Sequence, residues 1–171
     1  MVKDALGKVE VFSISFHGMP GELIVMDSSG RKSYLTTKHG QGYGLPSEYA
    51  SIQCDSPEPN RYPRLRLAVV SACYSSAAPA EHTSVIQALV NGGAEAAIGF
   101  KYETSVGYSN EWARVFWRMV CKDGKDAAYA MSEALNEVLN DPKNERLRQD
   151  QSLLTPELAG SPSCKLYPVS R

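Results

Sequence analysis

The first regular pattern along the chain is Val9-Glu10-Val11-Phe12-Ser13-Ile14-Ser15-Phe16, with apolar residues at alternate positions and many of them β-branched or aromatic. A period of two in such residues predicts a strand with one buried face. His17-Gly18-Met19-Pro20-Gly21 ends it in a turn. Glu22-Leu23-Ile24-Val25-Met26 reads as a second short strand, Asp27-Ser28-Ser29-Gly30 as a turn, and Lys32-Ser33-Tyr34-Leu35 as its hairpin partner. Residues 36–64 carry Gly40, Gly42, Gly44, Pro46, Pro57, Pro59 and Pro63. They read as a long surface loop of the kind that often carries function, with one helical turn near Pro46-Ser47-Glu48-Tyr49-Ala50.

The pattern then changes. Leu65-Arg66-Leu67-Ala68-Val69-Val70-Ser71-Ala72 is almost continuously apolar. That suits a central strand of a parallel sheet, covered on both faces. It ends at Cys73. A small-residue loop from Tyr74 to Pro79 leads to a helix over about Glu81 to Asn91, capped by Thr83 or Ser76 and ended by Gly92-Gly93. Ala94 to Lys101 predicts a third buried strand. A helix over about Ser109 to Cys121 presents Trp112, Val115, Phe116, Met119 and Val120 on one face. Another runs from about Asp126 to Leu139, with Met131, Leu135, Val138 and Leu139 inward, and Asp141-Pro142 ends it. The remainder is polar and irregular, with a last strand at Cys164-Lys165-Leu166-Tyr167-Pro168. The alternation of strands and helices predicts an α/β fold with a mostly parallel sheet flanked by helices.

Length and composition fit one domain with a real core: 171 residues, of which 43% are apolar. The formal charge of −1 gives no electrostatic footprint for nucleic acid. No apolar run reaches the roughly 18 residues of a membrane span. The N-terminus shows no signal-peptide pattern, so the expected setting is the cytoplasm. No two of Cys54, Cys73, Cys121 and Cys164 stand at C-x-x-C spacing. His17, His39 and His82 show no metal-ligand spacing either, so neither a metal nor another cofactor is expected.

Open α/β sheets hold their sites at the carboxyl ends of strands. Two residues capable of chemistry fall at such ends: His17 after the first strand and Cys73 after the central one. A thiolate is the nucleophile, and an adjacent imidazole favours it or takes the proton as attack begins. Parallel strands ending level would bring the two together. The N–H of Gly18, with no side chain to block it, and the Cys73 amide then offer oxyanion donors. Other templates fail. Position 79, where a cysteine-based phosphatase would place its arginine, is Pro, and neither G-x-S-x-G nor a phosphate-binding loop after a strand is present. Cys54, Cys121 and Cys164 read as ordinary thiols, and His39 and His82 as surface polar groups.

These segments resemble the caspase-like cysteine peptidases, in particular their clostripain-like and CHAT members. Phe16-His17-Gly18-Met19-Pro20-Gly21-Glu22-Leu23-Ile24-Val25-Met26-Asp27 is similar to the histidine region of that superfamily. Leu67-Ala68-Val69-Val70-Ser71-Ala72-Cys73-Tyr74-Ser75-Ser76 is similar to its apolar-Ser-Ala-Cys-x-Ser block. The order of blocks persists through Ala88–Phe100 and the helices at Trp112–Phe116 and Ala127–Ala134, so the resemblance covers about residues 9–139, followed by a polar extension over about 140–171. It implies a Cys–His dyad with Cys73 as nucleophile, His17 as base and Gly18 as oxyanion donor, acting on a peptide or protein substrate. The chain departs from the family in three ways. Only about eight residues precede Val9, where relatives carry two βα units, so a fragment, a shortened variant or half of an intertwined dimer is expected. An exposed first-strand edge would favour a homodimer. Position 71 is Ser, where relatives that cleave after basic residues carry Asp. Glu103, with Asp55 a distant second, is then the acid left to line a substrate pocket. The expected activity is that of a cysteine endopeptidase. The alternative is a non-catalytic caspase-like module for protein interaction or assembly.

Overall fold

The computed structural model describes residues 8–26, 32–36, 49–51, 62–78 and 83–166. Strands β1 (Val11–Ser15), β6 (Leu67–Ser71), β7 (Ala96–Phe100) and β8 (Pro156–Gly160) form one four-stranded sheet in the order β1-β6-β7-β8. β1, β6 and β7 run parallel, and β8 is antiparallel at the far edge. Strands β2 (His17–Met19), β3 (Glu22–Met26), β4 (Lys32–Thr36) and β5 (Tyr49–Ser51) form a second sheet in chain order. The helices are α1 (Val85–Asn91), α2 (Val106–Cys121), α3 (Ala127–Asn140) and the short α4 (Glu145–Gln149). The fold is α/β with a mostly parallel sheet. Among the described residues no helix is long and apolar enough to cross a membrane.

β6 shows why its sequence is apolar throughout. Ala68 and Val70 join Val85, Ala88 and Leu89 of α1 in one core, together with Leu23, Tyr62 and Leu65. Leu67 and Val69 join Trp112, Val115 and Phe116 of α2 and Ala130 and Ala134 of α3 in the other. Helices therefore cover both faces, and a strand between them has no position left for a polar side chain. Trp112 anchors the second core. Its ring stacks on Phe116 at 4.9 Å between centroids and meets Phe100 edge-on at 5.4 Å, while its indole N–H donates to the Met131 carbonyl.

Several expectations from the sequence need correction. His17–Met19 is a strand rather than part of a turn. The turn is confined to Pro20-Gly21, where Gly21 takes φ 74° behind a proline, the backbone of a type II turn. The 36–64 stretch is not all surface loop. Tyr49 and Ala50, expected in a helical turn, belong to β5, which pairs in parallel with β4, and Tyr62 is 1% exposed. Residues 46–48 of that turn, the Asp27–Gly30 turn, Cys54, Asp55, His39 and His82 lie outside the described residues. The cap of α1 is Ser84, which accepts from the Gln87 amide at 3.2 Å, not Thr83 or Ser76. On α3, Val138 is buried and Met131, Leu135 and Leu139 pack half-buried against the core as expected, but the deepest stripe, Ala127, Ala130 and Ala134, was missed from the sequence. Small residues sit innermost there because α3 packs closely against α2.

Among the described residues the last strand is β8; Cys164–Leu166, expected in a strand, are not in one, and residues 167–168 lie outside the described residues. Cys164 sits instead in a turn, buried, with its carbonyl accepting from the Ala127 amide. Burial, with the Glu95 charge adding to it, pushes the Cys164 thiol up from its ordinary 9.0 to about 11. Below pH 9 both folded and unfolded chains hold the proton. Above it the unfolded chain releases the proton first, so stability falls as pH rises from about 9 towards 11. The expected loss is roughly 2–3 kcal/mol. Urea unfolding of wild type and Cys164→Ala at pH 8 and pH 11 isolates it, and a drop of equal size in both proteins would contradict the assignment.

Candidate active site

The site lies at the carboxyl end of the parallel strands. β1 and β6 end level, with Ser15 opposite Ser71, and the ladder extends one residue further as the Phe16 amide donates to the Ser71 carbonyl at 3.2 Å. His17 therefore leaves β1 just where β6 delivers Cys73. His17, Cys73 and Ser71 line a single cavity of about 310 Å³, together with Ser15, Phe16, Ala72, Thr104, Val106 and Ser109. Cys73 is half-buried and His17 is exposed.

Gly18 fixes the approach of the two segments. A β-carbon built at Gly18 would lie 2.3 Å from the Cys73 carbonyl oxygen and 3.0 Å from the Ala72 β-carbon. Only a residue without a side chain lets the β2 hairpin come this close to the cysteine. β2 pairs with β3 with Met19 opposite Glu22, flanking a two-residue turn, and Gly18 opposite Leu23. The pair flanking such a turn is the hydrogen-bonded one, and alternation along the ladder turns the Gly18 N–H away from β3.

The cysteine sits in a tightly held turn. Tyr74 takes φ 57°, a left-handed conformation that a bulky side chain rarely adopts and that surrounding bonds must impose. Those bonds are present. The Tyr74 amide donates to the Tyr102 carbonyl at 3.2 Å and the Ser76 amide to the Phe100 carbonyl at 3.1 Å. Ser75 is fully buried. Its hydroxyl lies 2.8 Å from the Ala72 carbonyl and 3.0 Å from that of Val70, and it accepts from the Phe100 amide at 2.9 Å. One hydroxyl thus ties the end of β6 to the end of β7. The sulfur itself meets the loop after β7. The Thr104 amide donates to Cys73 Sγ at 3.4 Å, and Sγ lies 4.0 Å from the Thr104 carbonyl oxygen.

Of the residues singled out from the sequence, His17, Gly18, Ser71 and Cys73 come together. Glu103 does not join them. It lines a neighbouring cavity of about 410 Å³ with Tyr74, Tyr102, Thr104, Ser105, Ser152 and Leu153, and Thr104 is common to both cavities. Cys121 lines a different cavity at the end of α2, with Glu10, Val11 and Trp117, and Cys164 is buried with its thiol against the Arg66 carbonyl, so neither lines the site. Thr104, Phe16 and Val106 were not legible as site residues. Thr104 lies in the loop after β7, at the same carboxyl end of the sheet, but nothing in the sequence says which residue of that loop meets the sulfur. Among the described residues no group of three His, Cys, Asp or Glu side chains is placed to hold a metal ion. Comparison with protein-family models and with curated proteins finds no match to the chain.

Proposed function

We propose that the chain is a caspase-like cysteine endopeptidase that cleaves peptide bonds through Cys73 and His17. The observation that carries the reading is the shared cavity at the level ends of β1 and β6, with Gly18 packed directly on the Cys73 backbone. In the first step Cys73 Sγ attacks the scissile carbonyl carbon while the His17 imidazole takes the thiol proton. The carbonyl oxygen gains negative charge, which the Gly18 and Cys73 amides stabilise. Collapse of this tetrahedral species breaks the C–N bond, and His17 returns the proton to the leaving amine. Water, with His17 again as base, then hydrolyses the thioester and restores the thiol.

A peptide substrate suits the surroundings. Phe16 (36% exposed), Tyr102 (45%) and Val106 (71%) all face solvent at or beside the cavity. Large exposed apolar side chains at two adjoining openings offer a surface for a macromolecular partner. A second reading, a non-catalytic caspase-like module for protein interaction, is favoured by β1. Among the described strands it is an edge, and Val11, Ser13 and Ser15 on its α2 side are exposed.

The dyad is tested by the rate of Cys73 carboxamidomethylation with iodoacetamide, located by mass spectrometry. Among the described cysteines Cys73 is expected to label faster than buried Cys164, and its labelling to slow about tenfold or more in His17→Ala. Equal Cys73 rates in wild type and His17→Ala would remove the base from the mechanism.

A further inference from the structure

The two strands that lead into the site part at its level. β6 pairs with β7 from Leu67 opposite Ala96 to Val69 opposite Ile98, and the register ends there. Phe100 still belongs to β7, but its amide donates to the Ser75 hydroxyl at 2.9 Å rather than to β6. That hydroxyl stands 3.0 Å from the Val70 carbonyl and 2.8 Å from that of Ala72, so it fills the place of the missing rung. Gly99 makes room for it, since a β-carbon there would lie 2.6 Å from Ser75 Oγ.

The turn held in this way leaves one donor over. The amides of Ala72, Tyr74, Ser75 and Ser76 donate to the carbonyls of Val70, Tyr102, Ala72 and Phe100 respectively. Among the described residues the Cys73 amide alone in that run has no acceptor. A free N–H beside the nucleophile is the donor an oxyanion needs, and the bonded amides on either side fix its direction. We propose that Ser75 is the positioning residue of the site: its hydroxyl holds the ends of β6 and β7 apart at a set width and so aims the Cys73 amide at the oxygen that gains charge. The inference rests on the peptidase reading for the reaction in which that amide serves. Ser75 is fully buried and acts through the backbone alone. Without the hydroxyl, the Phe100 amide and the Ala72 carbonyl lose a buried partner, and relief comes from the strand ends closing on each other and carrying Cys73 with them.

The test compares two reactions at the same sulfur. With p-nitrophenyl acetate, Cys73 Sγ bonds to the carbonyl carbon, the oxygen carries negative charge in the tetrahedral species, p-nitrophenolate leaves and His17 takes the thiol proton. With iodoacetamide, Sγ displaces iodide from carbon and no oxyanion forms. Both draw on the same thiol and base, so a change in either cancels in the ratio of acylation to alkylation. Both rates are read on Cys73 of the full chain by mass spectrometry, with thermal unfolding of each variant alongside. Ser75→Ala is expected to lower the ratio about tenfold. A merely structural loss alters access to the thiol and moves both rates together. Ser75→Cys keeps the size of the side chain but offers only a weak donor and acceptor, so it should show the same fall and carries the comparison if Ser75→Ala does not fold. A ratio within about twofold of wild type in either folded variant would overturn the role of Ser75. Neither reaction needs peptide cleavage, so a protein that cuts no peptide yet shows the fall sinks the peptidase reading and leaves the positioning role standing.

Discussion

Cys73→Ala is expected to lower peptide cleavage by roughly 10³-fold or more, and His17→Ala by a comparable factor, because each variant removes half of one proton-coupled attack. The double variant should be little worse than either single one. Residues that act as a unit give non-additive losses, and what remains comes from binding and oxyanion stabilisation alone. Neither change should unfold the protein. Cys73 is half-buried, the contacts of its sulfur are with the Thr104 backbone, and His17 is exposed. The measurement is cleavage of a mixed peptide library by wild type and the three variants, with thermal unfolding of each. Cleavage that persists undiminished in Cys73→Ala would exclude the thiol as nucleophile. A wild-type protein that cuts nothing in the library would favour the non-catalytic module.

The parts of this site that were legible in the sequence are those set by local pattern. A continuous apolar run identified β6 as a covered central strand, and the chemistry-bearing residues at the ends of β6 and β1 followed from it. The parts that were not legible depend on partners distant in the chain. β2 reads as a turn because His17-Gly18-Met19 has no strand propensity of its own, and pairing with β3 makes it a strand. β8, Pro156-Glu157-Leu158-Ala159-Gly160, has neither alternation nor β-branched residues. It is held by its ladder to β7, and its proline is tolerated as the first residue of an edge strand. On α3 the larger apolar side chains drew the eye, yet depth in the core follows from how closely α2 approaches, and that favours alanine. Thr104 meets the sulfur only because the Tyr74 amide bonds to the Tyr102 carbonyl and draws the two loops together. Glu103, expected from the sequence to line a substrate pocket, lines a cavity separate from the one that Ser71 lines, and that separation depends on the path of the loop after β7 in three dimensions.

Gly18→Ala tests the convergence of His17 and Cys73 without replacing either side chain. The new β-carbon would stand 2.3 Å from the Cys73 carbonyl oxygen, a distance no packed pair of atoms tolerates. The obstacle is backbone at the end of a buried strand, not the tip of a flexible side chain. It cannot swing aside without disturbing the turn that Ser75 ties to Phe100. The segment that yields is therefore the β2 hairpin, at the edge of its own sheet, and His17 moves with it. A displacement of about 1 Å between reacting groups costs on the order of 10²-fold in rate. The expected result is a fall in kcat/KM of that size, with a matching loss of the His17-dependent part of iodoacetamide labelling. Gly107→Ala is the control for adding a methyl group to a glycine, since a β-carbon there meets Ser105 Oγ at 3.9 Å. Overpacking at Gly18 should also cost about 1–3 kcal/mol of stability, so unfolding is followed in the same samples. If Gly18→Ala folds and keeps wild-type kcat/KM, the close packing of the hairpin on Cys73 has no part in aligning base and nucleophile.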